Sequence, residues 1–453
     1  MVSDIWEHQS ALALGAAIES GRADPRDLTE SFLEAIKTAD QNHTVYVRVL
    51  PERARAEAKA AAERARSGLR RSPLDGVPLS WKELFDVAGE PTTACSALLA
   101  NNIATKDAVA VERLTRAGAV LLGKTTMTEL AFSGLGINPI FGTPENPHDT
   151  NCARAPGGSS SGAGVSVARG LCAAAIGTDT GGSVRIPAAW NGLVGLKTST
   201  GRVPLDGTIP LAPSLDTIGP LARTVADTAI LFSHLGRTRA DIRDVALRDH
   251  AVIVPDNLVF EGLDRGIAKT IEQAIHQLGA VGLRIVHKPL PALDEIHELA
   301  WRGPSLLTAE AYGIWGERVE AEQDKMFRSV SSRFLMSNAG TAPELAASLM
   351  LRRQIQARYA KETEGFDAVL LPTVISSPPE IAPLLADDNA YGKANRRALR
   401  NATLGNQLGL CALTLPVGKD TQGLPVGLML QAAPGKEELL LRLGRAIEMT
   451  LAN

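Results

Sequence analysis

Apolar residues recur at helical spacing through residues 9–38, on either side of the polar stretch GRADPRDLT. The pattern predicts two amphipathic helices, with Asp27 or Thr29 as the cap of the second. PERARAEAKAAAERARSG (51–68) opens on proline and ends on glycine, with alanine, glutamate and arginine between, and so predicts a solvent-facing helix. The period then changes. GVPLSWKELFDV (76–87) and AVLLGKTTM (119–127) are apolar runs of strand length bounded by glycine, with a helix expected over 107–117 between them. Over 133–220 the composition shifts to Gly, Ser, Thr and Pro, yet SGAGVSVARGLCAAAIGTD within it reads as a helix followed by a buried strand. A low-complexity linker does not carry such apolar segments. Alternation then resumes: AVIVPD, GLRIVHKPL and FDAVLLPTV read as strands, LLTAEAYGIWGERVEAEQ and APELAASLMLRRQIQARYAKET as long amphipathic helices. The chain closes on the apolar run GLPVGLMLQAA and the helix KEELLLRLGRAIEM. Helix alternating with apolar strand predicts an α/β layer fold around a buried sheet. With no internal repeat and no composition break that marks a boundary, 1–453 is expected to form a single domain.

Composition narrows the function classes. The 453 residues carry a formal net charge of −3, and the basic pairs Arg352–Arg353 and Arg396–Arg397 are short and expected to be solvated. No basic, aromatic-interleaved face recruits nucleic acid. Four cysteines (Cys95, Cys152, Cys172, Cys411) lie far apart without a CxxC pair, which argues against a disulfide framework or a zinc site. The N-terminus carries Asp4 and Glu7 where a signal peptide has basic residues, and no apolar run reaches the ~18 residues of a membrane span. The expectation is a cytoplasmic protein without membrane, metal or cofactor.

Candidate chemistry centres on two glycine–serine loops, APGGSSSGAG (155–164) and GTDTGGSVRIPAA (177–189). Neither ends in the Gly-Lys-Ser/Thr of a phosphate loop. Residues 158–162 match GxSxG with Ser160 at the tip, but a nucleophile elbow needs a buried strand before it, and PHDTNCARAP is polar. The second loop does follow an apolar strand, LCAAAI. Consecutive backbone N–H groups there can converge on one cavity, the construction of an oxyanion hole. Upstream, Lys82 lies within apolar VPLSWKELF, where desolvation disfavours its charged form and lets it act as a neutral base. Serines plus a lysine, with no histidine, make a self-consistent acyl-transfer apparatus.

These motifs together resemble the amidase signature family. The run 157–204 carries the resemblance most strongly, joined by LDGVPLSWKELFDVAGEPTTACS (74–96), AVLLGKTTMTELAFSGLG (119–136), SLDTIGPLARTVAD (214–227) and GLPVGLMLQAA (423–433), in that family's order. The resemblance implies a large twisted mixed β-sheet covered on both faces by α-helices. It implies a triad of Lys82, Ser159 in a cis peptide after Gly158, and Ser183 as nucleophile, with Ser159 hydrogen-bonded to both partners. The amides of Thr180, Gly181, Gly182 and Ser183 would hold the oxyanion, and Ser160 would support the loop. Asp179 and Arg185, an acid and a base within one turn, are expected to pair with each other or with loop backbone. Met127, Phe132 and Trp190 are candidates for an acyl pocket, with core packing as the alternative. The chain departs from the family pattern at Trp81 and Glu83 beside the lysine, at Cys95 where glycine is usual, and in its triple serine.

The resemblance further implies hydrolysis of a C–N bond of a small molecule through an acyl-enzyme on Ser183. The substrate is an amide, including aryl amides, ureido compounds and carbamates or urethanes. The alternative is a glutaminase-type subunit of a tRNA-dependent amidotransferase, feeding ammonia to a partner. As subdivisions, 1–70 is expected to be an N-terminal helical region, 71–230 the catalytic motif core, 231–400 a variable substrate-shaping region, and 401–453 a C-terminal core strand and helix. Trp301, Tyr312, Trp315, Phe327 and Phe334 fall in one span, and residues 300–360 read as either a lid or a partner surface. The expected state is a monomer or homodimer.

Overall fold

A computed structural model describes residues 6–243, 245–302, 305–336 and 340–451. Among them, eleven strands join one sheet: β1 (Tyr46–Val49), β2 (Pro78–Lys82), β3 (Val120–Thr125), β4 (Ala174–Asp179), β5 (Val194–Lys197), β6 (Thr217–Ala222), β7 (Ala251–Pro255), β8 (Arg284–Lys288), β9 (Ala368–Pro372), β10 (Cys411–Lys419) and β11 (Pro425–Ala432). Their spatial order is β1-β3-β2-β4-β6-β5-β10-β11-β9-β7-β8. β3, β2 and β4 run parallel, as do β9, β7 and β8, and the other neighbours are antiparallel.

Alternate residues of the strands enter different cores, which is how a sheet covered on both faces is built. Cys411, Leu413 and Leu415 of β10, with Leu428 and Leu430 of β11, pack with the helices Val225–Leu235, Arg265–Ala280 and Glu437–Leu451. The residues between them, Ala412 and Met429, pack with Pro291–Trp301, Ala342–Glu362 and Asp388–Gln407 on the other face. β2, β3 and β4 are buried at every position and anchor a third, larger cluster.

The expected elements form, with shifted ends. The two N-terminal helices span Ala11–Glu19 and Pro25–Ala39, and the second is capped by Asp24, whose carboxylate accepts from the Arg26 amide, rather than by Asp27 or Thr29. Pro25, suited to the first helical position, moves the start upstream. Arg352 is braced rather than solvated: its Nε donates to the Gln407 carbonyl at 2.7 Å, at the end of the helix Asp388–Gln407. Among the described residues no helix is long and apolar enough to cross a membrane.

Candidate active site

Because β2 and β4 are parallel neighbours, their C-terminal ends open on the same edge of the sheet, where α/β proteins place their ligands. Lys82 is the last residue of β2. Its side chain shares a face with Ser80, whose Oγ meets Ser166 Oγ at 3.1 Å on the helix Ser161–Ala168. That helix starts directly after the first serine loop, so the loop covers the lysine. Lys82 is fully buried, and its Nζ donates to Ser159 Oγ at 2.7 Å and Thr178 Oγ1 at 2.9 Å. Burial lowers its pKa from 10.5 to about 7, against the opposing pull of Asp216 and Asp179. The lysine is therefore substantially neutral near pH 7 while keeping two hydroxyl partners.

The peptide Gly158–Ser159 is cis. A Cβ at Gly158 would stand 2.5 Å from the Gly136 nitrogen, so only glycine fits there. The Ser159 carbonyl accepts from the Thr128 amide at 3.1 Å. Ser160 joins the two serine loops: its N–H donates to the Ser183 carbonyl and its Oγ to the Thr178 carbonyl, each at 3.3 Å. Its hydroxyl is buried and engaged, not presented at the tip of an elbow.

Asp179, closing β4, organises the second loop. Its carboxylate accepts from the amides of Gly182 at 2.9 Å and Val184 at 3.1 Å, from Arg185 Nε at 3.0 Å and Nη2 at 2.9 Å, and from Asn406 Nδ2 at 2.9 Å. Burial works to raise its pKa, but the charge and hydrogen bonds of Arg185 outweigh that and hold it well below the usual carboxylate range. The expected pairing of Asp179 with Arg185 and the loop backbone is thus present. It also corrects the expected set of four oxyanion donors, because the Gly182 N–H is turned onto Asp179. The amides of Thr180, Gly181 and Ser183 have no acceptor among the described residues. Gly182 has φ +128°, and a Cβ on it would meet the Ala402 Cβ at 2.5 Å.

Thr180 Oγ1 donates to Asp216, whose other oxygen accepts from the amides of Leu211 at 3.0 Å and Ala212 at 3.1 Å. Thr403 Oγ1 holds the Gly181 carbonyl at 3.1 Å. Ser183 is 4% exposed, and its hydroxyl has no hydrogen bond to any described residue. The expected Ser159–Ser183 hydrogen bond is therefore not formed. The Ser159 hydroxyl is engaged by Lys82 instead.

Beside Gly181 lies a cavity of about 250 Å³, lined by Phe132, Trp301, Arg333, Leu399 and Thr403 among others. Of the three pocket candidates, Phe132 lines it and the other two pack elsewhere. Met127 is in the core with its carbonyl accepting from Asn138 Nδ2 at 3.1 Å, and Trp190 is buried with Nε1 donating to the Ser376 carbonyl at 2.9 Å. Among the aromatic residues of 300–360, Trp301 reaches the cavity and Phe334 packs edge-on against Phe132 with centroids 4.6 Å apart. Trp315 is tied instead to the Pro210 carbonyl at 2.9 Å.

The departures beside the lysine have a local role. Trp81 stacks edge-on against Phe85. The buried Glu83 carboxylate accepts from the Thr93 and Cys95 amides and lies 3.5 Å from Lys124 Nζ. It thereby holds a turn in which Ala94 and Cys95 have φ 49° and 48°, where glycine would sit without strain. Four residues that sequence reasoning passed over complete the site: Thr178, Asp216, Thr403 and Asn406. Asp216 lay in plain view within SLDTIGPLARTVAD, whereas Thr403 and Asn406 sit on a helix whose buried residues mix polar with apolar side chains.

The family model described as Amidase matches residues 27–441 of this chain. The chain is 36% identical over 452 residues to 2-amino-5-chloromuconic acid deaminase of Comamonas testosteroni, covering 97% of this chain and 96% of that one. It is 34% identical over 482 residues to a glutamyl-tRNA(Gln) amidotransferase subunit of Anaeromyxobacter dehalogenans (strain 2CP-C), covering 96% and 95%. A solved structure described as a crystal structure of amidase superposes with a TM-score of 0.87 at 33% identity, covering 97% of this chain and 99% of that one.

Proposed function

This chain belongs to the amidase family and is an amide hydrolase acting on C–N bonds of small molecules; from that premise we propose that Ser183 is its nucleophile, with Ser159 and Lys82 as the proton relay. The observation that carries the reading is a fully buried lysine, 2.7 Å from the hydroxyl of Ser159, beside the three uncommitted amides of Thr180, Gly181 and Ser183. The Ser183 hydroxyl closes on Ser159 as substrate binds. Its proton passes to Ser159 while the Ser159 proton passes to neutral Lys82, and Ser183 Oγ adds to the carbonyl carbon. The three amides hold the oxyanion, and each such donor contributes about 3–4 kcal/mol of barrier stabilisation. As the C–N bond breaks, the proton returns from Lys82 through Ser159 to the departing nitrogen. Water then attacks the acyl group on Ser183 by the same relay, leaving the acid and the free enzyme.

Asp179, Arg185, Gly158 and Ser160 position this apparatus without touching substrate. The region 231–400 shapes the substrate, a reading supported by Trp301, Arg333 and Leu399 in the cavity wall. A reducing, cytoplasmic setting accords with four cysteines that are all unpaired. The test is a fluorophosphonate reaction followed by peptide-mapped mass spectrometry, run beside Lys82→Met and Ser159→Ala. The expected result is an adduct on Ser183 that forms at least ~100-fold more slowly in both variants. An adduct on Ser160, or an unchanged rate, refutes the assignment.

A second reading, a glutaminase subunit in a tRNA-dependent amidotransferase, is favoured by the extent of similarity to the glutamyl-tRNA(Gln) amidotransferase relative, 96% of this chain. Hydrolysis of simple amides by the purified chain alone excludes it. Glutamine hydrolysis that appears only with a co-purifying partner establishes it.

A further inference from the structure

Asp216 is a buried carboxylate that lacks a cation of its own. One oxygen accepts from Thr180 Oγ1 and the other from the amides of Leu211 at 3.0 Å and Ala212 at 3.1 Å, all neutral donors, and no described residue forms an ion pair with it. Burial pushes its pKa up against those bonds, so the charge is held at a cost. The other ionisable groups around Lys82 are already answered. Asp179 is paired with Arg185 at 2.9 Å, and Glu83, next to the lysine in sequence, lies 3.5 Å from Lys124. Cys95 is buried and its pKa is raised, which keeps it a neutral thiol. The helix Ser161–Ala168 brings no ionisable side chain. Asp216 is thus the unanswered charge of the site, and Lys82 is the cation that acts on it when protonated.

β4 sets the distance between the two. Lys82 Nζ is bonded to Thr178 Oγ1 on β4, and Asp216 is bonded to Thr180, two residues on. The antiparallel register agrees: Asp179 is opposite Thr217, so one further step brings Thr180 beside Asp216. Two residues along a strand span roughly 7 Å. A carboxylate in direct contact would keep the lysine protonated at rest and unable to accept a proton. Resting on the hydrolase reading above, we propose that Asp216 is a positioning residue of the relay, stabilising the ammonium that forms on Lys82 and fixing Thr180 for the oxyanion. As Ser183 Oγ bonds to the carbonyl carbon, one proton moves from Ser183 to Ser159 and one from Ser159 to Lys82. That leaves a negative carbonyl oxygen on the loop amides and a positive Nζ facing Asp216. When the C–N bond breaks, the proton returns to the departing nitrogen and both charges vanish.

Asp216→Asn tests this, because its carbonyl oxygen can still accept the Leu211 and Ala212 amides and its NH2 can donate to Thr180 Oγ1, so that only the charge is lost. The readout is the rate of fluorophosphonate labelling at Ser183 from pH 5 to 9, with melting and far-ultraviolet circular dichroism as folding controls. The parent is expected to show an acid limb near pH 7. In Asp216→Asn that limb moves down by about one pH unit and the plateau falls at least ~10-fold, since the lysine loses its nearby anion. Asp216→Glu keeps the charge and holds the limb near the parental pH, whatever its plateau. Asp216→Ser replaces the asparagine variant should that one not fold, with the same downward shift expected. A parental limb that stays put when the charge is removed, or that moves equally in Asp216→Glu, overturns the inference and leaves the triad standing. A flat parental profile removes the base assignment and this inference with it.

Discussion

Replacing Lys82 with methionine tests whether a buried, neutral lysine is present, through stability rather than rate. In the unfolded chain the lysine titrates near 10.5, and in the folded protein near 7. The folded state therefore binds fewer protons than the unfolded state between these values, and stability rises with pH across that window. Each pKa unit is about 1.4 kcal/mol, so below pH 7 the lysine costs about 5 kcal/mol of stability, and above pH 10.5 it costs nothing. Methionine removes that cost but leaves Ser159 Oγ and Thr178 Oγ1 without their donor, a loss of about 1 kcal/mol each that does not depend on pH. At pH 7 itself, where about half of the folded lysine is already neutral, the cost is about 4 kcal/mol and the net gain about 2 kcal/mol, with its size set by how well the neighbours repack. Its pH dependence is the firmer quantity. The advantage of Lys82→Met over the parent shrinks by about 2 kcal/mol between pH 7 and pH 9, because only the parent recovers the desolvation cost. Urea midpoints of both proteins at the two pH values, with refolding checked, measure this double difference, and ionisations common to both cancel. Parallel profiles would show that Lys82 keeps an ordinary pKa when folded, and its role as a neutral base would be lost.

The same ionisation predicts an acid limb in kcat/KM inflecting near pH 7, with the active form deprotonated; a flat profile down to pH 5 contradicts it. Gly182→Ala places a Cβ 2.5 Å from that of Ala402 at φ +128°, so the loop must move and fluorophosphonate labelling of Ser183 falls at least ~100-fold while the fold persists. Labelling at the parental rate would show that the loop tolerates the shift. Glu83→Ala leaves Lys124 buried without its carboxylate 3.5 Å away and frees the 93–95 turn, at a cost of about 3–5 kcal/mol that a lowered Tm reports. An unchanged Tm would show that Glu83 is incidental to the turn.

What the sequence disclosed, and what it hid, follows from how each part is specified. β2, β3 and β4 are buried on both sides and therefore stand out as apolar runs between glycines. The lysine and serine loops are legible because they abut those runs. β5 and β6 are short, and β6 carries Pro220 inside a sheet, a residue that argues against an interior strand. It is accommodated where β5 pairs with β6 at only two positions, Val194 with Ala222 and Gly195 with Leu221. The helix Asp388–Gln407 escaped notice for a different reason: buried Asn395, Asn401, Thr403 and Asn406 interrupt its apolar positions and dilute the hydrophobic periodicity. Those polar residues hold backbone and side-chain groups of neighbouring segments, while Tyr391, Ala398, Leu399, Ala402 and Leu404 of the same helix pack in the core. Asn395 takes the Gly134 amide, Asn401 the carbonyls of Val259 and Pro372, Thr403 the Gly181 carbonyl, and Asn406 Asp179. The orientation of a single peptide plane is hidden more deeply still. Motif spacing offers Gly182 as an oxyanion donor on equal terms with its neighbours, and only the Asp179 carboxylate, placed by the end of β4, turns that N–H away. The cavity is assembled from segments as distant as Phe132, Gly181, Arg333 and Thr403, each ordinary in its own stretch of chain. The proposed reaction chemistry is written locally, around two loops and one strand end. The cavity beside it is assembled by tertiary contacts, which is why a single sequence discloses the first and conceals the second.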